Sequence, residues 1–221
     1  MSIEDNINKI TTQLPQGVRL VAVSKFHPVE KLREAYDAGQ RLFGENHAQE
    51  MVQKQPQLPA DVEWHMIGHL QTNKVRMIMP HVKMIQSVDS IKLLKTIEKE
   101  AARIEREVDV LLQVHVAQEE TKSGFSVDEL LNAATQGQLE GYPHVHIAGL
   151  MAMATNTPDM RQVAHEFGMV RHAYEILKQE FFTQPGFKEL SMGMSHDWKV
   201  AVDQGSTMVR IGTDIFGPRE Y

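Results

Sequence analysis

Apolar and polar positions along the chain alternate between two periods. Short runs rich in Val, Ile, Leu and Met have the length of strands, and longer stretches with apolar residues every three or four positions have the pattern of amphipathic helices. After an N-terminal helical stretch from Ser2 to about Leu14, the chain contains eight strand-like segments, and each of the first seven is followed by a helix-like one. The strand-like segments are RLVAVS (19–24), RLFGEN (41–46), EWHMIG (63–68), MIQSVD (84–89), VDVLLQVHV (108–116), HIAGLMAM (146–153), ELSMGM (189–194) and TMVRIG (207–212).

This alternation predicts a parallel sheet with right-handed crossovers. The eight units average about 28 residues, the size of one βα repeat, and no linker-like stretch divides them. We therefore expect an α/β protein, a single (β/α)8 TIM barrel over residues 1–221 with an extra N-terminal helix. The alternative is a doubly wound open sheet, which favours glycines in its first βα turn, and SKFHPVEK (24–31) has none.

Composition narrows the class of protein. The 221 residues are 42% hydrophobic and 24% charged, with a net charge of −6 and no cysteine. The negative charge argues against nucleic acid or an anionic membrane as a general partner. The N-terminus lacks the basic start and apolar run of a signal peptide, and no apolar run has membrane-spanning length. A cytoplasmic protein is the expectation.

Candidate chemistry lies where the strands end. Lys25 follows the apolar stretch VAVS, although an unpaired ammonium is costly to bury. Barrels of this type carry their sites at the carboxyl ends of the strands, with phosphate often bound after strands 7 and 8. Those two places contain Ser195, at the predicted start of a helix, and Arg210, Gly212 and Thr213. A surface lysine, a helix N-cap at Ser195 and a simple turn at Gly212 are the structural alternatives.

Closure of a barrel pairs strand 8 with strand 1, which brings Lys25 next to the predicted phosphate site. Desolvation and neighbouring cations lower the pKa of a lysine and make its amine nucleophilic. An amine beside a phosphate site suits an aldehyde that carries a phosphate. Pyridoxal 5′-phosphate (PLP) and sugar phosphates both meet that description.

Several motifs together resemble the YggS/PROSC family of PLP-binding homeostasis proteins. They are VAVSK (21–25), FGEN (43–46), WHMIGHLQTNK (64–74), TKSG (121–124), GLMAM (149–153), SMGMS (191–195) and STMVRIGTDIFGPREY (206–221). That family is similar to the barrel domain of fold-type III PLP enzymes such as alanine racemase. His69 and His196 occupy positions that vary in the family.

The resemblance implies PLP as cofactor and a role for each candidate residue. Lys25 would form the internal aldimine, a Schiff base, and Ser195, Gly212 and Thr213 would bind the phosphate. Arg210 would face the pyridine nitrogen and keep it unprotonated, which weakens the cofactor as an electron sink. Asn46 would lie near the ring.

The resemblance also implies intracellular PLP homeostasis, as a carrier or buffer, without strong catalysis. Alanine racemases carry a further β domain and use a partner subunit's tyrosine as a second acid/base. None of the four tyrosines of this chain, Tyr36, Tyr142, Tyr174 and Tyr221, follows an obvious strand end. We expect a monomer whose partners are PLP and PLP-dependent apoenzymes. A PLP-dependent amino-acid racemase and a Schiff-base aldolase acting on a sugar phosphate are the alternative functions.

Two other patterns in the sequence suggest a metal site and a hydrolytic site, but both are incomplete. His144 with His146, and His65 with His69, have spacings that bring two imidazoles together, but no carboxylate or cysteine completes a ligand set. The consecutive residues Ser195, His196 and Asp197 contain the letters of a hydrolytic triad, but three neighbours in sequence cannot form the required relay. We therefore predict no metal site and no catalytic triad.

Overall fold

The computed structural model describes residues 2–118 and 123–218. Within them, eight parallel strands form a closed barrel in the order in which they occur along the chain, and β8 pairs with β1. The predicted (β/α)8 barrel is confirmed. The strands are β1 (Arg19–Val23), β2 (Leu42–Glu45), β3 (Glu63–Met66), β4 (Met84–Val88), β5 (Val108–His115), β6 (Val145–Met153), β7 (Glu189–Ser191) and β8 (Met208–Ile211).

Helices follow the strands and surround the barrel. Ser2 caps the extra N-terminal helix, and its hydroxyl accepts a hydrogen bond from the backbone N–H of Asp5. The helices of the described residues are α1 (Ile3–Thr11), α2 (Val29–Asp37), α3 (Ala48–Lys54), α4 (Val75–Ile78), α5 (Ile91–Arg103), α6 (Val127–Thr135), α7 (Met160–Glu180), α8 (Trp198–Asp203) and α9 (Thr213–Phe216). Short 3-10 turns at Gln55–Gln57 and Thr72–Lys74 follow α3 and precede α4.

The core has two layers, because alternate residues of a strand point to opposite faces. A large apolar layer fills the space between strands and helices and includes the fully buried Phe43, Trp64 and Phe167. A smaller group fills the barrel interior, namely Val21, Leu42, Met84, Leu111, Ala148, Met151 and Met208. The interior is therefore packed along the strands, and side chains that follow the strands are left to form a site.

Three details differ from the sequence prediction. The chain forms the short helix α9 directly after β8, where the sequence pattern had indicated no helix. Strand β7 ends at Ser191 rather than at residue 194, because Gly193 adopts a φ of +95° that an extended strand does not allow. Ser195 lies in a turn before α8, whose first residue is Trp198 and whose N-cap is Asp197.

No helix among residues 2–118 and 123–218 is both long and apolar enough to cross a lipid bilayer.

Candidate functional site at the carboxyl ends of the strands

A cavity of about 440 Å³ opens at the carboxyl ends of the strands, within the range of about 300–1,000 Å³ that is usual for small-molecule sites. All six residues predicted to bind the cofactor line it. They are Lys25, Asn46, Ser195, Arg210, Gly212 and Thr213. Sequence positions spread over 189 residues therefore meet at one mouth of the barrel, because the carboxyl ends of parallel strands face the same way.

Lys25 lies two residues beyond β1 and is half-buried. The register of β1 with β8 pairs Val21 with Arg210 and Ala22 with Ile211. Lys25 is therefore beside the start of α9, which is the position that closure of the barrel predicted. The residue after it, Phe26, has a φ of +65° and a side chain exposed by 47%. A positive φ is unfavourable for a bulky residue, so neighbouring contacts must stabilise this turn.

Those contacts come from a buried charged cluster of Glu45, Glu50 and Lys54. The Lys54 ammonium lies 2.8 Å from Glu45 Oε1 and 2.6 Å from Glu50 Oε1, and it donates a third hydrogen bond of 2.8 Å to the carbonyl of Ser24. The Ser24 hydroxyl donates to Glu45 Oε1 at 2.7 Å. The backbone N–H of Phe26 donates to Glu50 Oε1 at 2.6 Å.

Both neighbours of Lys25 in the sequence are thus held by the same cluster. Burial raises the pKa of Glu45 to about 7, and the ammonium of Lys54 limits the rise. The second carboxylate oxygen of Glu45, Oε2, is buried without a hydrogen-bond partner among the described residues. An incompletely satisfied buried carboxylate explains the direction of this shift. The motif FGEN pointed to this region, but the role of Lys54 was missed, because a lysine at a helix end usually lies at the surface.

Arg210 is in the interior of β8 and is only 4% exposed. Its Nη1 donates to the carbonyl and the hydroxyl of Ser191, at 2.8 and 2.6 Å, and its Nη2 donates to the carbonyl of Ala152 at 2.9 Å. Burial lowers the pKa of Arg210 to about 10, and nearby Asp197 opposes this shift, so the guanidinium stays charged at neutral pH. The described contacts leave Nε–H and one Nη2 hydrogen for a ligand.

The turn that carries Ser195 is anchored by a buried acid. One oxygen of Asp197 accepts a hydrogen bond of 2.5 Å from the backbone N–H of Met194. The other oxygen is 3.4 Å from His196 Nε2 and has no hydrogen-bond partner within the described ranges. A Cβ on Gly193 would come within 2.7 Å of the Ala201 Cβ, so the chain passes close to α8 before it reaches Ser195. These contacts turn the Ser195 segment toward the cavity.

Gly212 is the N-cap of α9 and Thr213 is its first residue, and both lie beside the end of β1. A Cβ on Gly212 would approach the backbone oxygen of Val23 to 3.0 Å, so a side chain there would crowd β1. Thr213 is exposed, and its hydroxyl is available to solvent or a ligand. Asn46 follows β2 and is half-buried. Its backbone oxygen would lie 2.4 Å from a Cβ on Gly68, so the segment after β3 packs tightly against it.

Sequence reasoning did not assign several other residues that line this cavity. Among them, Gln113 is buried and donates to the carbonyl of Ser123 at 2.6 Å, and His27 lies 5.0 Å from the ring of Phe216. The only signal for them was their place at or just after a strand. The other lining residues without an assigned role are Val23, Ile67, Gly68, His69, Ser123, Met153, Met194 and His196.

The histidine pairs noted in the sequence are drawn into other contacts. His65 is buried with its Nδ1 2.7 Å from Gln86 Nε2, and His69 Nδ1 is 2.9 Å from Asp89 Oδ2. His144 Nδ1 is 2.8 Å from Glu98 Oε1, and His146 is near acidic residues at the opposite mouth of the barrel. No group of three or more His, Cys, Asp or Glu residues with metal-binding geometry occurs in the described ranges.

Two motifs of the resemblance extend beyond the described residues. Thr121 and Lys122 of TKSG lie outside them, as does Tyr221. The three described tyrosines do not line the cavity. Tyr36 is on α2 and donates to Asp61, Tyr142 donates to the carbonyl of Gln138, and Tyr174 on α7 lies 3.4 Å from the carbonyl of Phe187.

Comparisons with known proteins identify the family. The alanine racemase N-terminal domain family matches residues 1–220. The pyridoxal phosphate homeostasis protein of Pasteurella multocida (strain Pm70) is 37% identical over 236 aligned positions, which cover 100% of this chain and 99% of the relative. PipY of Synechococcus elongatus PCC7942 has been solved in two forms. The form without PLP has a TM-score of 0.91 at 38% identity, and the form with PLP bound has 0.89 at 37%. Each alignment covers 98% of this chain and 100% of PipY.

An alanine racemase from E. faecalis shares the fold, with a TM-score of 0.74 at 17% identity, over 98% of this chain and 57% of the racemase. The full-length matches at 37–38% identity and the racemase-like barrel agree with one another. The chain belongs to the family of pyridoxal phosphate homeostasis proteins, within the alanine racemase N-terminal domain family.

Proposed function

We propose that this protein binds PLP covalently through Lys25 and acts in PLP homeostasis, as a carrier or buffer without strong catalysis of its own. One observation carries the proposal: a single cavity brings together an amine, a guanidinium and three hydroxyls, with no Asp or Glu among its described lining residues. In a protein with a net charge of −6, such a pocket favours an anionic ligand. PipY, 37% identical, has been solved with PLP bound.

Each polar group of PLP would have partners among the lining residues of the cavity. The hydroxyls of Ser195 and Thr213 and the backbone N–H of Gly212 would hold the phosphate, because hydroxyl and amide donors suit its oxygens. Arg210 would face the pyridine nitrogen, and Asn46 would lie near the ring.

When bound, PLP supplies an aldehyde that condenses with a primary amine, with loss of water, and a ring that withdraws electrons. The residues of this chain then determine how strongly that ring acts. A guanidinium with a pKa of about 10 is protonated at neutral pH and donates a hydrogen bond without giving up its proton. Arg210 would thus leave the ring nitrogen unprotonated and hold PLP in a weakly activating state.

Turnover of an amino acid would need a second proton donor on the other face of the ring. None of Tyr36, Tyr142 and Tyr174 reaches the cavity. We propose that the protein keeps PLP in reserve for PLP-dependent apoenzymes, and that it does so in the cytoplasm. The racemase and aldolase alternatives predict different outcomes in the test below.

The test is an absorption titration of the purified protein with PLP, followed by borohydride reduction and peptide mass mapping. We expect a visible band that reduction converts into a stable adduct on Lys25. Lys25→Ala should lose the adduct and retain PLP only weakly. Lys95→Ala, which removes an exposed lysine on α5 away from the cavity, should behave like the wild type.

An unchanged adduct in Lys25→Ala would place the attachment elsewhere, and no band in the wild type would overturn the proposed function.

A second experiment tests the racemase alternative: L-alanine is added to the PLP-loaded protein, and its conversion to the D-isomer is followed by chiral chromatography. We expect no appreciable conversion. Rapid conversion would establish the racemase alternative.

A further inference from the structure

A line of hydrogen bonds crosses the barrel interior from the cofactor cavity to His65. Arg210 Nη1 donates to Ser191 Oγ at 2.6 Å, and Ser191 Oγ donates to Gln86 Oε1 at 2.7 Å. Gln86 Nε2 lies 2.7 Å from His65 Nδ1. The four residues belong to β8, β7, β4 and β3, and none is more than 4% exposed.

In each hydrogen bond of this line, the residue nearer to Arg210 is the donor. A guanidinium has no acceptor, so Ser191 Oγ must accept from it and can give its own hydrogen to Gln86 Oε1. The amide nitrogen of Gln86 then faces His65, whose Nδ1 must be an acceptor, with the ring proton on Nε2. Burial, with Arg19 and Lys83 nearby, lowers the pKa of His65 to about 3, which agrees with a neutral ring.

Gln86 is itself held on a second side. Its amide nitrogen also lies 3.0 Å from Met208 Sδ, so both of its hydrogens have partners. A glutamine fixed in this way presents its oxygen only toward Ser191. The hydroxyl hydrogen of Ser191 therefore stays directed at Gln86 Oε1, and the oxygen keeps a lone pair directed at the guanidinium of Arg210.

We propose that Ser191 and Gln86 are positioning residues, which hold the guanidinium of Arg210 in the one orientation that leaves Nε–H and an Nη2 hydrogen for a ligand. The backbone carbonyls of Ser191 and Ala152 fix one edge of the guanidinium, and the hydroxyl of Ser191 adds a bond that opposes rotation of the Nη1 group. That this ligand is PLP rests on the proposed function, but the role of Ser191 and Gln86 in orienting the guanidinium of Arg210 does not.

The variants are Ser191→Ala, which removes the hydroxyl, and Gln86→Met, which keeps the shape of the side chain without its acceptor. Ser191→Thr restores the hydroxyl as a conservative variant. Ser206→Ala is the matched control, because Ser206 is also buried next to β7 and β8, and among the described residues its hydroxyl bonds only to backbone groups of residues 190, 192 and 208.

The first measurement uses the PLP-free protein and follows rotation of the Arg210 guanidinium by ¹⁵N NMR. The second measures the absorption maximum of the PLP complex and the rate at which PLP is released to an excess of a competing amine. Loss of one buried hydrogen bond should accelerate both rotation and release by about fivefold. We expect this in Ser191→Ala and Gln86→Met, with a shifted absorption maximum, and recovery in Ser191→Thr.

Rotation at the control rate in both Ser191→Ala and Gln86→Met would overturn the positioning role, whatever PLP does. If one variant does not fold, the other provides the same test. Faster rotation in a protein that takes up no PLP would support the positioning role and overturn the proposed function. The NMR measurement therefore separates the two.

Discussion

Lys54 and Glu45 form an ion pair that is almost fully withdrawn from solvent, with 2.8 Å between Nζ and Oε1 and side-chain exposures of 7% and 0%. Glu45 ends β2 and Lys54 ends α3, so the pair lies between the barrel and its helices. The same ammonium bonds the carbonyl of Ser24, next to the residue that we propose to carry PLP. The pair therefore connects the stability of the fold to the position of Lys25.

Lys54→Met should destabilise the protein strongly, because it leaves two carboxylates buried or half-buried without their shared cation. Breaking a buried pair by removing one partner costs about 3–5 kcal/mol in the free energy of unfolding. Lys83→Met is the control. It breaks an ion pair of 3.9 Å with Asp109 in which the lysine side chain is 58% exposed, and exposed pairs contribute about 0.2–1 kcal/mol.

Urea unfolding of the PLP-free variants measures this difference. The double variant Glu45→Leu/Lys54→Met should recover part of the loss, since it leaves no unpaired charge at Glu45. The rate of covalent PLP capture should fall in Lys54→Met, because Ser24 and the turn at Phe26 lose their support. Equal stabilities of the Lys54 and Lys83 variants would show that the pair contributes nothing.

Glu45→Gln should change the pH dependence of stability in a defined direction. The pKa of Glu45 is near 4.5 in the unfolded chain and about 7 in the fold, because burial disfavours its charge. The folded state then holds more protons between these values, so the contribution of Glu45 to stability falls as pH rises from 4.5 to 7. The wild type should lose about 2 kcal/mol more than Glu45→Gln between pH 5 and pH 8. Urea unfolding at both pH values checks this, and parallel curves would contradict it.

His65 should act in the opposite direction. Its pKa is lowered from 6.5 to about 3 by burial, so the unfolded state binds the extra proton between these values. Stability is therefore lost as pH falls below 6.5, by about 2 kcal/mol between pH 7 and pH 5. His65→Gln lacks this titration. The difference in unfolding free energy between wild type and His65→Gln should vary with pH over that range, and a constant difference would disprove the shift.

Gly193→Ala should disturb the turn that carries Ser195. The new Cβ would meet the Ala201 Cβ at 2.7 Å and the Trp198 Cα at 2.8 Å. Gly137→Ala is a matched control, because Gly137 also has a positive φ, of +68°, but open space around it. Gly193→Ala should be less stable than the control by about 1–3 kcal/mol, the usual cost of overpacking.

The PLP affinity should fall in Gly193→Ala and stay at the wild-type value in Gly137→Ala, because only the former moves Ser195. Thermal unfolding of the PLP-free proteins and PLP titration measure the two effects. Wild-type PLP affinity in a destabilised Gly193→Ala would contradict the assignment of Ser195 to the phosphate site.

The sequence by itself determined the architecture and the location of the site. Strand and helix periodicities are local signals, and eight alternations of them suffice for a barrel whose carboxyl-terminal mouth collects the residues after the strands. Lys25, Ser195, Arg210, Gly212 and Thr213 could be assigned to one place for that reason and Asn46 from the family resemblance, and the cavity does contain all six. Their roles toward PLP stay predictions.

Only the tertiary structure decided which buried polar groups meet. Ser191 and Gln86 are 105 residues apart, and Glu45 and Lys54 face each other only because α3 folds back on β2. The sequence around a polar residue in a strand does not show which residue it will bond. Which side chains face one another across the barrel depends on strand register and closure. His65, Gln86 and Ser191 form a hydrogen-bonded line to Arg210 only because the barrel closes and brings their strands together.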